Sequence, residues 1–254
     1  MMKVTFLGTG TSQGVPLINC SCDVCTSENL KNNRLRSSVT IETNSTILLV
    51  DTTPDLRQQL LRYPVPRIDA ILYTHAHADH ICGMDDIRRF NFIQEDKIPA
   101  YADKKTLLRL DKVFSYAFDN DGTNYGLPSL AAREITGTFY INEIEIIPIP
   151  LFHGKNQVLG FRIGNFAYCT DANRIPDESY DKLRELDLLV LGALREISHP
   201  THFSMNEAIF EAQKIGSRQT YFIHMSHDID HEFHGKKLPE NMYFAYDGLQ
   251  LELK

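Results

Sequence analysis

The stretch Thr74-His75-Ala76-His77-Ala78-Asp79-His80 constrains this chain more than any other. It sets three imidazoles and a carboxylate side by side, directly after an apolar run, Ile68 to Tyr73, that reads as a strand. Such a turn packs poorly but chelates well, because neutral ring nitrogens and a carboxylate are good ligands for divalent metals. His75 and His77 are two apart, so an extended backbone points both the same way. Asp79 and His80 follow too closely to share all of that geometry. The spacing therefore suggests two neighbouring metal ions.

His-x-His-x-Asp-His after a strand resembles the signature of the metallo-β-lactamase superfamily, and the resemblance runs most of the length of the chain. The later ligands of that family follow in order, each after a strand-like run. His153 follows Ile146 to Phe152, Asp171 follows Phe166 to Thr170, and His224 follows Tyr221 to Ile223. The resemblance implies that His75, His77 and His153 hold one metal. Asp79, His80 and His224 would hold the other, with Asp171 bridging. Two divalent ions, two carboxylates and a bridging hydroxide leave a centre of about +1, suited to an anion and above all to a phosphodiester. The family also implies the fold class, α+β, as a four-layer αββα sandwich formed by residues 1–254 as one domain.

A second constellation is Cys20-Ser21-Cys22-Asp23-Val24-Cys25. The other two cysteines, Cys82 and Cys169, lie in apolar sequence and read as buried packing thiols. Met1-Met2-Lys3 runs straight into a strand pattern with no export signal, so a reducing cytoplasm is expected and metal binding is favoured over disulfides. A structural zinc wants four ligands in a closed tetrahedron. Three are here, and His227, three residues after His224, is the choice for the fourth. A Cys-x-Cys-x-x-Cys near the N-terminus and His-x-x-His near the C-terminus resemble the superfamily branch of phosphonate-pathway cyclic phosphodiesterases. Leu7 to Pro16, rich in Gly and Thr, and the closing Ala245-Tyr246-Asp247-Gly248 match that branch as well.

A length of 254 residues with 43% hydrophobic content supports an ordinary globular core. No apolar run approaches the ~20 residues of a membrane helix. A formal charge of −7 offers no broad basic field, which argues against a large nucleic acid though not against a small anion held by metals. A homodimer is expected only by analogy.

The patterning predicts strands over Val4–Leu7, Ser38–Glu42, Thr46–Val50, Ile141–Pro150, Val158–Ile163, Phe166–Thr170, Leu188–Leu191, Thr220–Ile223, Met242–Tyr246 and Leu249–Leu253. It predicts helices over Pro54–Arg62 with Thr53 as cap, Asp79–Phe90, Lys104–Phe118, Glu178–Glu185 and Ser204–Ile215, the last opened by a Ser204/Glu207 capping box. Asp51, ending an apolar strand, takes the place of a family carboxylate that supports a metal-ligating histidine.

In the loop Arg195 to His202, the related phosphodiesterases carry a histidine proposed as proton donor. His202 matches that place best, with His199 next. A poorly leaving alkoxide needs such a proton. His231 and His234 read as residues of a polar tail loop, solvated or at the rim of the cleft. The expected function is a hydrolase with two catalytic divalent ions, zinc or manganese, and one structural zinc. It would act on a small or cyclic phosphate ester, with Asp79 or Asp171 orienting the nucleophile. The competing readings are a tRNA 3′-processing ribonuclease, a lactonase or thioesterase, and a non-hydrolytic cofactor-biosynthesis protein like the pyrroloquinoline-quinone pathway relative.

Overall fold

The computed structural model describes residues 1–119 and 126–253. Its elements, in order, begin with β1 (Met2–Gly8), β2 (Ser38–Glu42), β3 (Ile47–Val50), α1 (Leu56–Arg62), β4 (Ala70–Leu72), α2 (Ala78–Ile81), α3 (Arg88–Gln94), β5 (Ile98–Ala102), α4 (Lys104–Phe118) and β6 (Leu130–Glu134). There follow β7 (Phe139–Ile141), β8 (Ile144–His153), β9 (Asn156–Ile163), β10 (Phe166–Cys169), α5 (Asp177–Tyr180), β11 (Leu188–Gly192), α6 (Met205–Ile215), β12 (Gln219–Ile223), α7 (His231–Gly235), β13 (Met242–Phe244) and β14 (Gln250–Leu253).

The strands form two sheets, ordered β14-β1-β2-β3-β4-β5-β6 and β13-β12-β11-β10-β9-β8-β7. Three apolar clusters separate four layers. Val4, Phe6, Leu48 and Val50 of one sheet meet Phe161, Phe166, Tyr168 and Val190 of the other. Leu49, Ile71 and Ala100 face outward onto Leu56 of α1, Phe90 of α3 and Leu110 of α4. Leu189, Leu191 and Phe222 face outward onto Ala208 and Ala212 of α6. Because successive strand residues point to opposite faces, β3 and β11 each feed two clusters, and their sequences read as unbroken apolar runs. This is an α+β, αββα sandwich.

Strand direction decides where the chemistry sits. β3 and β4 are parallel. In the second sheet β10, β11 and β12 are parallel, and β8 runs the same way because both it and β10 pair antiparallel with β9. Asp51, the His75–His80 turn, His153, Asp171 and His224 therefore all emerge at C-terminal strand ends.

Several local expectations are corrected. Asp79–Phe90 is not one helix but α2, a 3₁₀ turn (Met84–Ile87) and α3. Gly83 breaks it: its N–H donates to Thr52 O at 2.9 Å, and an added Cβ would lie 1.8 Å from Thr53 O. α1 starts at Leu56 and not at Pro54; Thr53 Oγ1 accepts the Asp55 N–H at 3.1 Å and Thr53 O the Leu56 N–H at 2.9 Å, so Pro54 and Asp55 form a turn that leads into the helix. Glu178–Glu185 reduces to α5 and a 3₁₀ turn. β5, β6 and β7 were not expected; Pro99 and the alanines of β5 and β6 weaken the β-branched signal. The 204–215 helix keeps its capping box. Cys169 is buried, but Cys82 is exposed, since the turn at Gly83 carries it to the surface.

Candidate metal centre

Three residues of the site hold the left-handed conformation that side chains other than glycine rarely adopt: Asp51 (φ 62°), Asp171 (φ 52°) and His224 (φ 59°). Each follows a strand of the parallel set. Such strain costs about 1–3 kcal/mol per residue and persists only where the surroundings over-determine it. Here the sharp turn brings side chains of both sheets together.

Two donor groups result. His75, His77, His153 and Asp171 offer ligand atoms lying within 4.8 Å of one another, as do Asp79, His80, Asp171 and His224. Asp171 belongs to both. Its Oδ2 is 3.8 Å from His75 Nε2 and 3.3 Å from His80 Nε2, and its Oδ1 is 3.0 Å from His224 Nδ1. His80 Nε2 is 3.1 Å from Asp79 Oδ2. The ring nitrogens His75 Nε2, His80 Nε2 and His224 Nδ1 are buried without hydrogen-bond partners. Buried polar atoms are normally satisfied. Three orphans converging on carboxylates are what a cation-binding centre requires, so the donor set fits divalent metals.

The opposite ring edges are tied down. His80 Nδ1–H donates to Asp51 Oδ2 at 2.7 Å, and His153 Nδ1–H to Thr201 O at 2.7 Å. Thr74 Oγ1 donates to Asp51 Oδ2 at 2.8 Å and takes the Nδ1–H of His75 at 3.0 Å. One buried carboxylate thus orients a histidine of each group, directly for His80 and through Thr74 for His75. These bonds fix the tautomers that leave Nε2 free. Asp51 has the place expected of it. Thr74 and Thr201 were missed, because a hydroxyl or a backbone carbonyl beside a histidine carries no sequence signal.

The charges are strongly coupled. Burial works against the charged form of His80, but Asp171, Asp79 and Asp51 around it hold its pKa well above the ordinary value. Burial likewise opposes the Asp171 carboxylate, yet the His224 and His80 rings keep it well below the ordinary range. His75 is driven well down by burial and by His80. The carboxylates around His80 thus favour a positive charge at that position, which a bound metal would supply in place of a ring proton.

His202 stands over this centre. Its ring is stacked 4.8 Å from His224, edge-on 4.5 Å from His153 and 5.2 Å from His199. Burial, then the neighbouring His224, lowers its pKa to about 3. Phe203 N–H bonds Ala172 O at 2.7 Å and holds the loop beside Asp171. His199 is further out, its Nδ1 3.2 Å from Thr201 Oγ1.

The four candidate structural ligands also meet. Cys20, Cys22 and Cys25 place Sγ at 3.4, 3.3 and 3.7 Å from His227 Nδ1. Cys22 is lowered to about 6, chiefly by the Cys25 N–H, while burial raises Cys25 to about 11. His231 and His234 are not in a solvated loop. They lie on α7, the His231 ring 5.9 Å from those of Phe244 and Tyr246, and His234 Nε2 3.5 Å from Glu196 Oε1.

Two facing sheets with helices outside and a His/Asp centre at their strand ends define a metallo-β-lactamase fold, and a family model of the beta-lactamase superfamily domain matches residues 46–225. A crystal structure of a diphosphatase from the PhnP family is 40% identical, covers 100% of this chain and 98% of its own, and superposes with a TM-score of 0.94. The chain belongs to the metallo-β-lactamase superfamily and, within it, to the PhnP family. It is also 34% identical, over 98% of its length, to an octanoyltransferase of Porphyromonas gingivalis. Zn²⁺-bound PqqB from Methylobacterium extorquens shares the fold at a TM-score of 0.75 with 20% identity, over 99% of this chain and 100% of that one. The chain spans 51% of the Porphyromonas protein. Among the described residues no helix is long and apolar enough to cross a membrane.

Proposed function

We propose that this chain is a dinuclear metal-dependent hydrolase, folded as one domain over residues 1–254, that cleaves a phosphodiester or diphosphate linkage in a small anion. The observation that carries it is the pair of donor groups sharing Asp171, with three buried ring nitrogens left orphaned. The PhnP-family diphosphatase supports the substrate class. His75, His77 and His153 would hold one ion, Asp79, His80 and His224 the other, and Asp171 both. Two divalent ions there, zinc or manganese, would supply an acidified water and charge stabilisation for the phosphoryl oxygens.

The chain's own groups do the rest. Asp51 keeps the His80 Nδ1 proton away from the centre. Asp79 and Asp171 are acceptors that orient an attacking water. His202 is neutral at pH 7 when no substrate is bound. An anionic phosphate ester beside it raises its proton affinity, so it takes up a proton with the substrate and delivers it to the leaving oxygen. Cys20, Cys22, Cys25 and His227 would close a structural zinc site.

The test is hydrolysis by metal-defined protein of cyclic phosphates, linear diesters, diphosphate esters, lactones and pre-tRNA. Turnover confined to the small phosphorus substrates is expected. A lactone or pre-tRNA as the preferred substrate overturns the reading.

A further inference from the structure

Asp247 lies far from the donor groups in sequence, in the bend between β13 and β14. Its carboxylate meets two distant segments. Oδ1 accepts the Thr9 hydroxyl at 2.8 Å, and Oδ2 accepts the Leu35 N–H at 2.8 Å. Thr9 is fully buried, and its backbone carries the connection onward. Thr9 O accepts Met225 N–H at 3.1 Å, and Met225 O accepts Thr11 N–H at 3.2 Å. These two bonds form a parallel bridge between Gly10 and Met225. Gly10 is threaded tightly here, since a Cβ would come within 2.8 Å of Arg34 O.

Met225 is the neighbour of His224. The His224 ring faces Asp171 with Nδ1 and Thr11 Oγ1 with Nε2, the latter at 3.5 Å. His224 also holds a left-handed backbone that needs outside support. The other half of its loop has a separate anchor: the buried Arg34 donates to Ser226 O at 3.0 Å and Ile229 O at 2.7 Å. Next to His224 itself, Ile223 O on one side accepts the Ala193 N–H of the loop after β11 at 2.9 Å, and Met225 on the other is gripped by Thr9 and Thr11; Asp247 braces this second grip through Thr9 and Leu35.

We propose that Asp247 is a positioning residue for His224, acting through Thr9 and Met225, so that it sets the metal affinity of the Asp79/His80/His224 group and not that of the His75/His77/His153 group. This rests on the dinuclear reading above. A carboxylate suits the role because both of its oxygens accept. An amide could keep the Leu35 N–H with its oxygen, but its NH₂ would then face the Thr9 hydroxyl, reversing that bond and leaving the hydroxyl proton without this acceptor.

The experiment is a Mn²⁺ titration of the full chain with its cysteine site left zinc-loaded, for wild type, Asp247→Asn, Thr9→Val and Thr9→Ser. Binding is read by calorimetry, and occupancy of each group by anomalous scattering. Wild type should take two Mn²⁺. Asp247→Asn and Thr9→Val should bind Mn²⁺ at the Asp79/His80/His224 group about 10–100-fold more weakly, the usual effect of losing an outer support of a ligand. The other group should be unchanged, and Thr9→Ser, which keeps the hydroxyl, should match wild type. Equal weakening of both groups would mean a general structural role and overturn the proposal, as would unchanged binding in both variants. Fewer than two Mn²⁺ in wild type would instead overturn the dinuclear reading itself. Thr9→Val, which leaves every backbone bond in place, keeps the test open if Asp247→Asn fails to fold.

Discussion

At the scale of single residues, His202 separates chemistry from binding. A proton donor matters only when the leaving group needs a proton; nitrophenolate does not, and a sugar alkoxide does. His202→Ala should slow hydrolysis of a cyclic or alkyl phosphodiester by ~10²–10⁴-fold, the scale of general acid catalysis, and cost far less on a nitrophenyl diester. Equal losses on the two substrates would assign His202 to phosphate binding instead. Asp51 allows a different test. It touches neither Asp171 nor an orphaned nitrogen, yet it holds His80 directly and His75 through Thr74. Asp51→Ala should therefore weaken both metals, by about 10–100-fold in affinity. Metal titration checks this, and a loss confined to the Asp79/His80/His224 group would show that the Thr74 link transmits nothing. That these histidines and aspartates would gather was legible in sequence, because each stands at the end of an apolar strand-like run. What held them was not. Asp171 and His224 give no sign in the sequence of their left-handed backbone, and Arg34 gives none that it is fully buried.

At the scale of elements, legibility followed the strength of the local signal. α4 and α6 were readable because each has a side-chain cap and an apolar face: Asp103 accepts the Thr106 N–H, and Ser204 pairs with Glu207. β5 was not, because its pairing with β4 and β6 is tertiary and Pro99 argues locally against a strand. The Asp79–Phe90 segment shows how a contact overrides a pattern. Its apolar spacing is helical, but Gly83 is pressed against Thr53 and donates to Thr52, which turns the chain away. Gly83→Ala should push the backbone at 82–84 off Thr53 and destabilise the fold by about 1–3 kcal/mol or more, the usual cost of overpacking. Urea unfolding measures it. Because Thr52 N–H also bonds His80 O at 2.8 Å, the same variant should weaken the Asp79/His80/His224 group. A variant as stable as wild type would show that the 82–84 turn can relax freely.

At the scale of the whole molecule, the two candidate metal sites are joined by one loop. β12 ends at Ile223 and the chain runs on through His224 to His227, so a single connection would supply a ligand to the His/Asp centre and to the cysteine site. The order of metal loss follows from a contrast between the two. An open centre exchanges ligands with solvent, whereas four soft or borderline donors in a closed shell leave a chelator no point of entry. Mild chelation should empty the catalytic pair first and leave one zinc, measured by metal analysis of the desalted protein. That zinc should be acid-labile. Its ligands must be deprotonated, and Cys22 is lowered to about 6, so protons compete with the metal as pH falls through that value and zinc loss should accelerate below it. Cys22→Ser removes one ligand and frees the 20–25 segment from His227. It should lower the melting temperature and then loosen His224, so that stability falls before turnover does. Protein purified with no metal beyond the catalytic pair, or a Cys22→Ser variant that melts like wild type, would show that the cysteine cluster does not hold the molecule's two ends together.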